Sequence, residues 1–251
     1  MKSIRRILLK ALGIEGYLRI VSRIYIWLID SGFLKSKYPE LFFLKVLVKQ
    51  GYTCLDIGAN LGYYSTFMSK YAGASGKVYA VEPIPLFANI WKDNTKLSFK
   101  KNLTLFPYAL GNENKMVTMS IPFVDGVLHH GMTKVNDTPN TLNETAQTFE
   151  VEMKNADELF SVIQKLDFVK IDIEGYEQYV IPAMEQTIRK FTPVIQAELG
   201  GEENRKSVVN FLKTCGYTAH VLSNNELILA TETHFENHQS DFYFTHKNNI
   251  I

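Results

Sequence analysis

The chain has 251 residues, 46% of them hydrophobic, enough to bury the core of one large domain. Its 27 basic and 26 acidic residues leave a formal charge of +1 with no basic block, which disfavours a nucleic-acid substrate. Two cysteines, Cys54 and Cys215, form no CxxC pair, suggest no disulfide framework and suit a reducing cytoplasm.

Residues 1–50 read as a helical N-terminal extension ahead of a domain spanning 51–251. Ile4, Ile7, Leu8 and Leu12 share one helical face, with Lys2, Arg5 and Arg6 partly opposite. The expectation is a helix packed onto the main domain, with weak peripheral docking to an anionic membrane as the alternative. Lys10 interrupts any signal-peptide core. Ile24–Ile29 is six residues long, far short of the ~20 that span a bilayer.

From there strands and helices alternate. Thr53–Ile57 is a β-prone run ending in the turn GANLG; Tyr63–Tyr71 reads as a helix broken by Gly73–Gly76. Lys77–Val81 is a strand stopped by Glu82-Pro83, Leu86–Leu97 a helix, and Leu103–Leu110 a third strand. This rhythm predicts a mostly parallel sheet with helices on both faces. Lys115–Pro122 alternates like an antiparallel strand. Residues 125–150 are polar, punctuated by Gly126, Gly131, Asn136, Pro139 and Asn143, and Gly126–Asn143 within them is expected to form part of an acceptor lid. The rhythm resumes with a strand at Phe168–Ile173, a helix from Tyr176 to about Lys190, a strand at Val194–Leu199 and a helix from Arg205 to Cys215, capped by Gly216. Tyr217–Leu222, Glu226–Ala230 and Phe242–Thr245 follow as late strands.

The strongest local signal is DIGANLGYYS, Asp56 to Ser65, at a strand-to-helix junction. Gly58 and Gly62 carry no Cβ and let backbone approach a ligand, and the next helix turns N–H groups toward that space. A dinucleotide fingerprint requires GxGxxG; here Asn60 takes the second glycine's place and the spacing is compressed, which weakens a pyrophosphate reading. Asp56 repels phosphate and attracts a cationic amino or sulfonium group. Glu82, at the end of the next strand, is placed to accept hydrogen bonds from a ribose. A compact zwitterionic nucleoside fits better than a dinucleotide.

DIGANLGYYS, VEP (Val81–Pro83), the pair Ala109-Leu110, VKIDIEGYE (Val169–Glu177) and AEL (Ala197–Leu199), in this order from about Thr53 to Cys215, resemble the FkbM family of methyltransferases. The resemblance implies a Rossmann-like class I sheet of seven mostly parallel strands, S-adenosylmethionine as donor, and O-methylation of a sugar or sugar-bearing molecule. By motif, Asp56, Gly58, Asn60 and Gly62 line the methionine side, Glu82 holds the ribose, Tyr108 or Ala109 sits near the adenine, and Pro83 also belongs to the cofactor-binding set.

At the chemical end, KIDIEG closes a central strand, where ligands of α/β sheets gather. Asp172 and Glu174 alternate with Ile171 and Ile173 and so share a face. Glu198 ends the next strand. Asp172 and Glu198 are therefore candidates either to share magnesium or manganese, or to order the donor and bind acceptor hydroxyls without metal. A sugar hydroxyl needs its proton removed, and His129 and His130 in the polar middle segment are candidate bases. The expectation is an S-adenosylmethionine-dependent O-methyltransferase acting on a sugar, sugar nucleotide or glycosylated metabolite in the cytoplasm. The rivals are a nicotinamide-dependent oxidoreductase and a catalytically idle cofactor-binding assembly protein.

Overall fold

Short apolar runs punctuated by glycine and proline set the frame in the computed structural model, which describes residues 2–96, 101–124, 127–128, 134–136 and 146–249. Helices α1 (Lys2–Asp30) and α2 (Pro39–Leu47) lead into β1 (Thr53–Ile57), α3 (Tyr63–Ala72), β2 (Lys77–Val81), α4 (Pro85–Thr95) and β3 (Leu103–Phe106). Next come β4 (Ala109–Gly111), β5 (Lys115–Val124), β6 (Val127–Leu128), β7 (Lys134–Asn136) and β8 (Ala146–Asn155). Then follow α5 (Ala156–Phe160), β9 (Phe168–Ile171), α6 (Glu177–Ala183), α7 (Glu185–Phe191), β10 (Val194–Ala197) and α8 (Glu202–Thr214). The remaining elements are β11 (Tyr217–Ser223), β12 (Glu226–Leu229), α9 (Glu232–Asn237) and β13 (Phe242–His246).

Among the described residues, eight strands form the main sheet in the order β12-β11-β13-β10-β9-β1-β2-β3. The run from β10 to β3 is parallel, and β13, β11 and β12 pair antiparallel. The fold is thus the expected α/β sheet with helices on both faces, with eight strands where seven were expected. The additional strand is β12, turned back against β11 through Asn224 and Asn225, whose φ values of 52° and 63° fit a tight hairpin. Because both faces are covered, β1, β9 and β10 are buried along their whole length. One face carries Leu55, Ile57, Val169, Ile171 and Ile195 against helices α5 to α8. The other carries Cys54, Val78 and Phe168 against α2 and α3.

Three sequence expectations change. Leu103–Leu110 is two strands, because Pro107 has no N–H to continue the ladder and the chain leaves the main sheet there. The helix predicted over Tyr176–Lys190 divides into α6 and α7 just after Pro182, whose ring removes a helical hydrogen bond. The polar middle region contains β8, which pairs with β5 over eight residue pairs and with β4, building a second sheet. Val117, Met119, Ile121, Val151 and Met153 of this sheet are buried against α4 and α1. In α1, Gly13 has φ 66° and breaks the helix. Leu18, Ser22 and Ile29 beyond the kink are buried, whereas Leu8 and Leu12 before it are exposed. Among the described residues no helix is long and apolar enough to cross a membrane.

Candidate active site

The strand register places Ala80, Asp56, Lys170, Gln196 and Tyr243 side by side across the sheet. Four of these five are polar, buried, and on the face covered by α3. Such a row is costly in an apolar sheet unless its members satisfy one another. They largely do. Asp56 accepts hydrogen bonds from the Ser65 hydroxyl and backbone N–H, and Trp91 Nε1 donates to that hydroxyl at 2.8 Å. Asp56 thereby caps α3. Burial, opposed by Ser65 and Lys170, still pushes its carboxyl up to about 6.

Lys170 is 1% exposed, with Nζ 3.2 Å from Asp241 Oδ1 and 3.7 Å from Asp172 Oδ2, beneath the Tyr64 ring. Burial works to lower its pKa, but Asp241, Asp172 and Glu198 together hold the ammonium above its ordinary range. Gln196 Nε2 donates to Asp241 and, at 3.3 Å, to Tyr64 Oη.

A cleft of about 250 Å³ opens where β1, β2 and β9 end, the place at which α/β sheets hold ligands. Asp56, Gly58, Asn60, Glu82, Pro83 and Asp172 all line it, together with Tyr63, Tyr64, Lys170, Glu174 and Met119 of the second sheet. An apolar slot of about 50 Å³ adjoins it, walled by Val81, Tyr108, Ala109, Leu110 and Val180. Cleft and slot share Gly58, Pro83, Met119 and Ile173.

Glu82 is 4% exposed, accepting the N–H of Asn60 at 2.8 Å on one oxygen and of Ile84 at 2.9 Å on the other. Burial outweighs these bonds and pushes its carboxyl up to about 7. Buried carboxylates on the floor with an apolar slot beyond them match a ligand that is cationic, hydroxylated and flat-based in turn. The turn does not suit a pyrophosphate. The N–H groups of Gly58 and Ala59 go to Val81 O, that of Asn60 to Glu82 and that of Gly62 to Ala59 O, so none of these four is presented to a phosphate.

The glycines act otherwise than the sequence suggested. A Cβ on Gly58, at φ 80°, would lie 1.9 Å from Asp172 O, so this glycine lets the ends of β1 and β9 meet. Gly62 is not part of the cleft lining; its Cβ would press to 2.9 Å from the Trp91 ring.

The strand carrying KIDIEG ends at Ile171, one residue before Asp172, so period-two alternation does not place Asp172 and Glu174. A turn does, with Glu174 at φ 55° and Gly175 at φ 93°. Glu177 fixes that turn by accepting the N–H groups of Ile173 at 2.8 Å and Gly175 at 3.0 Å. Glu198 sits beside Asp172 but outside the cleft lining, its N–H bonded to Ile171 O. Partial burial, then the Asp172 charge, raise its carboxyl to about 8, moderated by solvent on its exposed outer side.

At the Asp172–Glu198 pair, considered above for magnesium or manganese, the Lys170 ammonium stands 3.7 Å from Asp172 Oδ2 and would compete with a divalent cation for that oxygen. No group of three or more His, Cys, Asp or Glu side chains among the described residues is arranged to hold a metal. His129 and His130 lie outside the described residues, as does most of the expected lid. Sequence reasoning missed Lys170, Glu177, Asp241 and Met119. A lysine inside the apolar strand FVKI is the one available signal, since a cation there requires buried partners.

Comparison with known proteins follows the same motifs. The profile described as Methyltransferase FkbM domain matches residues 56–219. Protein-L-isoaspartate O-methyltransferase of Methanococcoides burtonii is 36% identical over 58 residues, 23% of this chain and 29% of that protein. The protein of the same name from Methanocella arvoryzae is 46% identical over 43 residues, 17% of this chain and 23% of that one. The chain thus spans less than a third of the curated relatives it matches. The crystal structure of an FkbM methyltransferase from Methylobacillus flagellatus KT covers 78% of this chain and 43% of its own, with a TM-score of 0.51 at 12% identity, a likeness of fold.

Proposed function

The chain belongs to the FkbM family of S-adenosylmethionine-dependent methyltransferases, and on that premise we propose that it methylates a hydroxyl oxygen of a carbohydrate acceptor, free, nucleotide-linked or part of a glycosylated metabolite. The observation that carries this reading is the acidic group at the ends of β9 and β10. Asp172 and Glu174 line the cleft and Glu198 stands beside them. Carboxylates accept hydrogen bonds from hydroxyl groups, and three of them suit a polyhydroxylated acceptor far better than an anionic one.

Bound S-adenosylmethionine supplies a methyl group already activated on a cationic sulfur. In this reading Asp56, Gly58 and Asn60 shape the amino-acid end, Glu82 takes the ribose hydroxyls, and the slot around Tyr108 and Ala109 takes the base. The chain then has two tasks: to hold the acceptor oxygen in line and to receive its proton. Positioning alone can remove ~7–11 kcal/mol of a barrier. Lys170 remains protonated and is therefore not a base; it orders Asp172 and favours negative charge on a nearby oxygen. Glu198, raised toward neutral pH, is the proton acceptor. No metal is needed in this scheme. The buried free thiols of Cys54 and Cys215 accord with a reducing cytoplasm.

The test is mass-spectrometric transfer of a labelled methyl group to a panel of nucleotide sugars and oligosaccharides, with and without chelator. Acid- and base-stable methyl ethers, formed equally with chelator present, are expected. Base-labile esters on a protein or peptide acceptor, or no transfer to any carbohydrate in the panel, would overturn the assignment.

A further inference from the structure

Helix α1 has two faces beyond its kink. One packs on the domain: Leu18 and Ile29 are buried, Asn94 donates to Ser22 at 2.9 Å, and Arg19 pairs with Asp93. The opposite face carries Ile20, Ile24 and Trp27, spaced four and three residues apart, and is equally apolar but exposed. Trp27 is 63% exposed, and its ring tilts against that of Phe33, itself 72% exposed in the turn after the helix. A contiguous apolar stripe tipped with an aromatic pair calls for an occupant.

The charges around it say which. Flanking the stripe and Phe33 in sequence, the exposed basic residues are Arg23, Lys35 and Lys37, while the acids of this stretch of α1 are already paired, Asp30 with Lys70 and Glu15 with Arg19. A second copy docked by two-fold symmetry would bring these cations face to face. A surface of anionic headgroups over an apolar boundary complements both features: the stripe and its aromatic tip enter the boundary, and the lysines meet the headgroups. We infer that the outer face of α1 and the turn around Phe33 form a docking surface for an anionic lipid membrane. The helix lies in the plane of the interface and does not cross it. The surface adjoins the active site, since Tyr25 of α1 contacts the ring of Tyr63 in the cleft wall.

The experiment adds the full chain to vesicles of phosphatidylglycerol and phosphatidylcholine in equal parts, and to vesicles of phosphatidylcholine alone. Trp27 reports directly, because the other tryptophan, Trp91, is 4% exposed and gives a constant background. Expected are a blue-shifted, quencher-shielded emission and co-sedimentation with the anionic vesicles, both weakened by salt. Trp27→Ser with Phe33→Ser should weaken partitioning roughly tenfold or more. Lys35→Ser and Lys37→Ser should each weaken it roughly fivefold. An unchanged melting temperature for these exposed substitutions shows that folding is not at issue. Absence of any emission change or co-sedimentation would overturn the inference, as would equal binding by the Trp27→Ser, Phe33→Ser variant. A dimer in light scattering that the same variant dissolves would assign the face to a second copy instead.

Discussion

Glu82→Gln separates what this residue does for the fold from what it does for the donor. Burial raises the Glu82 carboxyl from 4.5 to about 7. A carboxyl raised on folding favours the native state at low pH, fully below its unfolded value, and that contribution fades as pH rises through its folded value. Across the window from about pH 5 to pH 8 the wild-type protein should therefore lose about 2–3 kcal/mol from this group, and the glutamine variant none. Asp56 is raised in a similar way but is common to both proteins and cancels. Against this stands a pH-independent cost: the carboxamide NH2 must face the N–H of either Asn60 or Ile84, for about 1–3 kcal/mol. The variant should thus be the less stable protein at pH 5 and equal or superior at pH 8. At ~2–4 °C per kcal/mol for a chain of this size, the difference in melting temperature should move by ~5–10 °C between those limits. Calorimetry with S-adenosylhomocysteine at pH 8 completes the test, with affinity expected to fall ~10- to 100-fold from loss of a charge-assisted hydrogen bond. A pH-independent difference in melting temperature would refute the buried-carboxylate reasoning. Unchanged affinity would refute the ribose role.

Lys170→Met leaves Asp241, 5% exposed, as an uncompensated buried charge, and should cost about 3–5 kcal/mol in denaturant melts. Adding Asp241→Asn should recover most of that, and failure to do so would show that Lys170 matters for packing rather than charge. For Glu198, a base must be deprotonated to act, so kcat/KM should rise with pH up to about 8. Glu198→Gln should abolish that limb and lower the rate ~10²–10⁴-fold; a retained pH profile would point to another base. Gly58→Ala drives a Cβ to 1.9 Å from Asp172 O at φ 80°, and should lower stability by about 2–4 kcal/mol with loss of donor binding. A well-folded, donor-binding Gly58→Ala protein would contradict the close approach of β1 and β9.

The elements read most faithfully from the sequence were those whose local and long-range demands agree. Thr53–Ile57 and Lys77–Val81 are apolar runs closed by a glycine turn or a proline, and they occupy those residues in the structure. Where a run and its punctuation conflicted, the punctuation decided. Pro107 overrode the run from Leu103 to Leu110, and the predicted helix after Tyr176 gave way just past Pro182. Strand β8 was hidden for a different reason: Phe149, Val151 and Met153 alternate with Glu150, Glu152 and Lys154, but the polar residues before them made the whole region read as loop. In the candidate site, DIGAN and KIDIEG close the strands that open onto the cleft, while their buried partners did not show. Asp241 pairs with Lys170 across 71 residues, and Gln196 reaches Asp241 across 45; nothing in the intervening sequence foretells either contact. The Lys170 ammonium beside Asp172 was likewise not foreseen.

The position of β13 bears on how the protein comes to exist at the ribosome. It lies between β10 and β11, although Phe242–His246 is synthesised after both. Until those residues leave the exit tunnel, β10 and β11 have no common neighbour and their facing edges stay unpaired, a state that invites capture by other chains. Asp241, which precedes β13 directly, arrives at the same moment and completes the partnership of Lys170. Closure of the sheet and pairing of its buried cation are therefore a single event that must wait until β10 and β11 have already been made. A translation product that stops short of Asp241 should be a substrate for chaperones and proteases rather than a weakened enzyme.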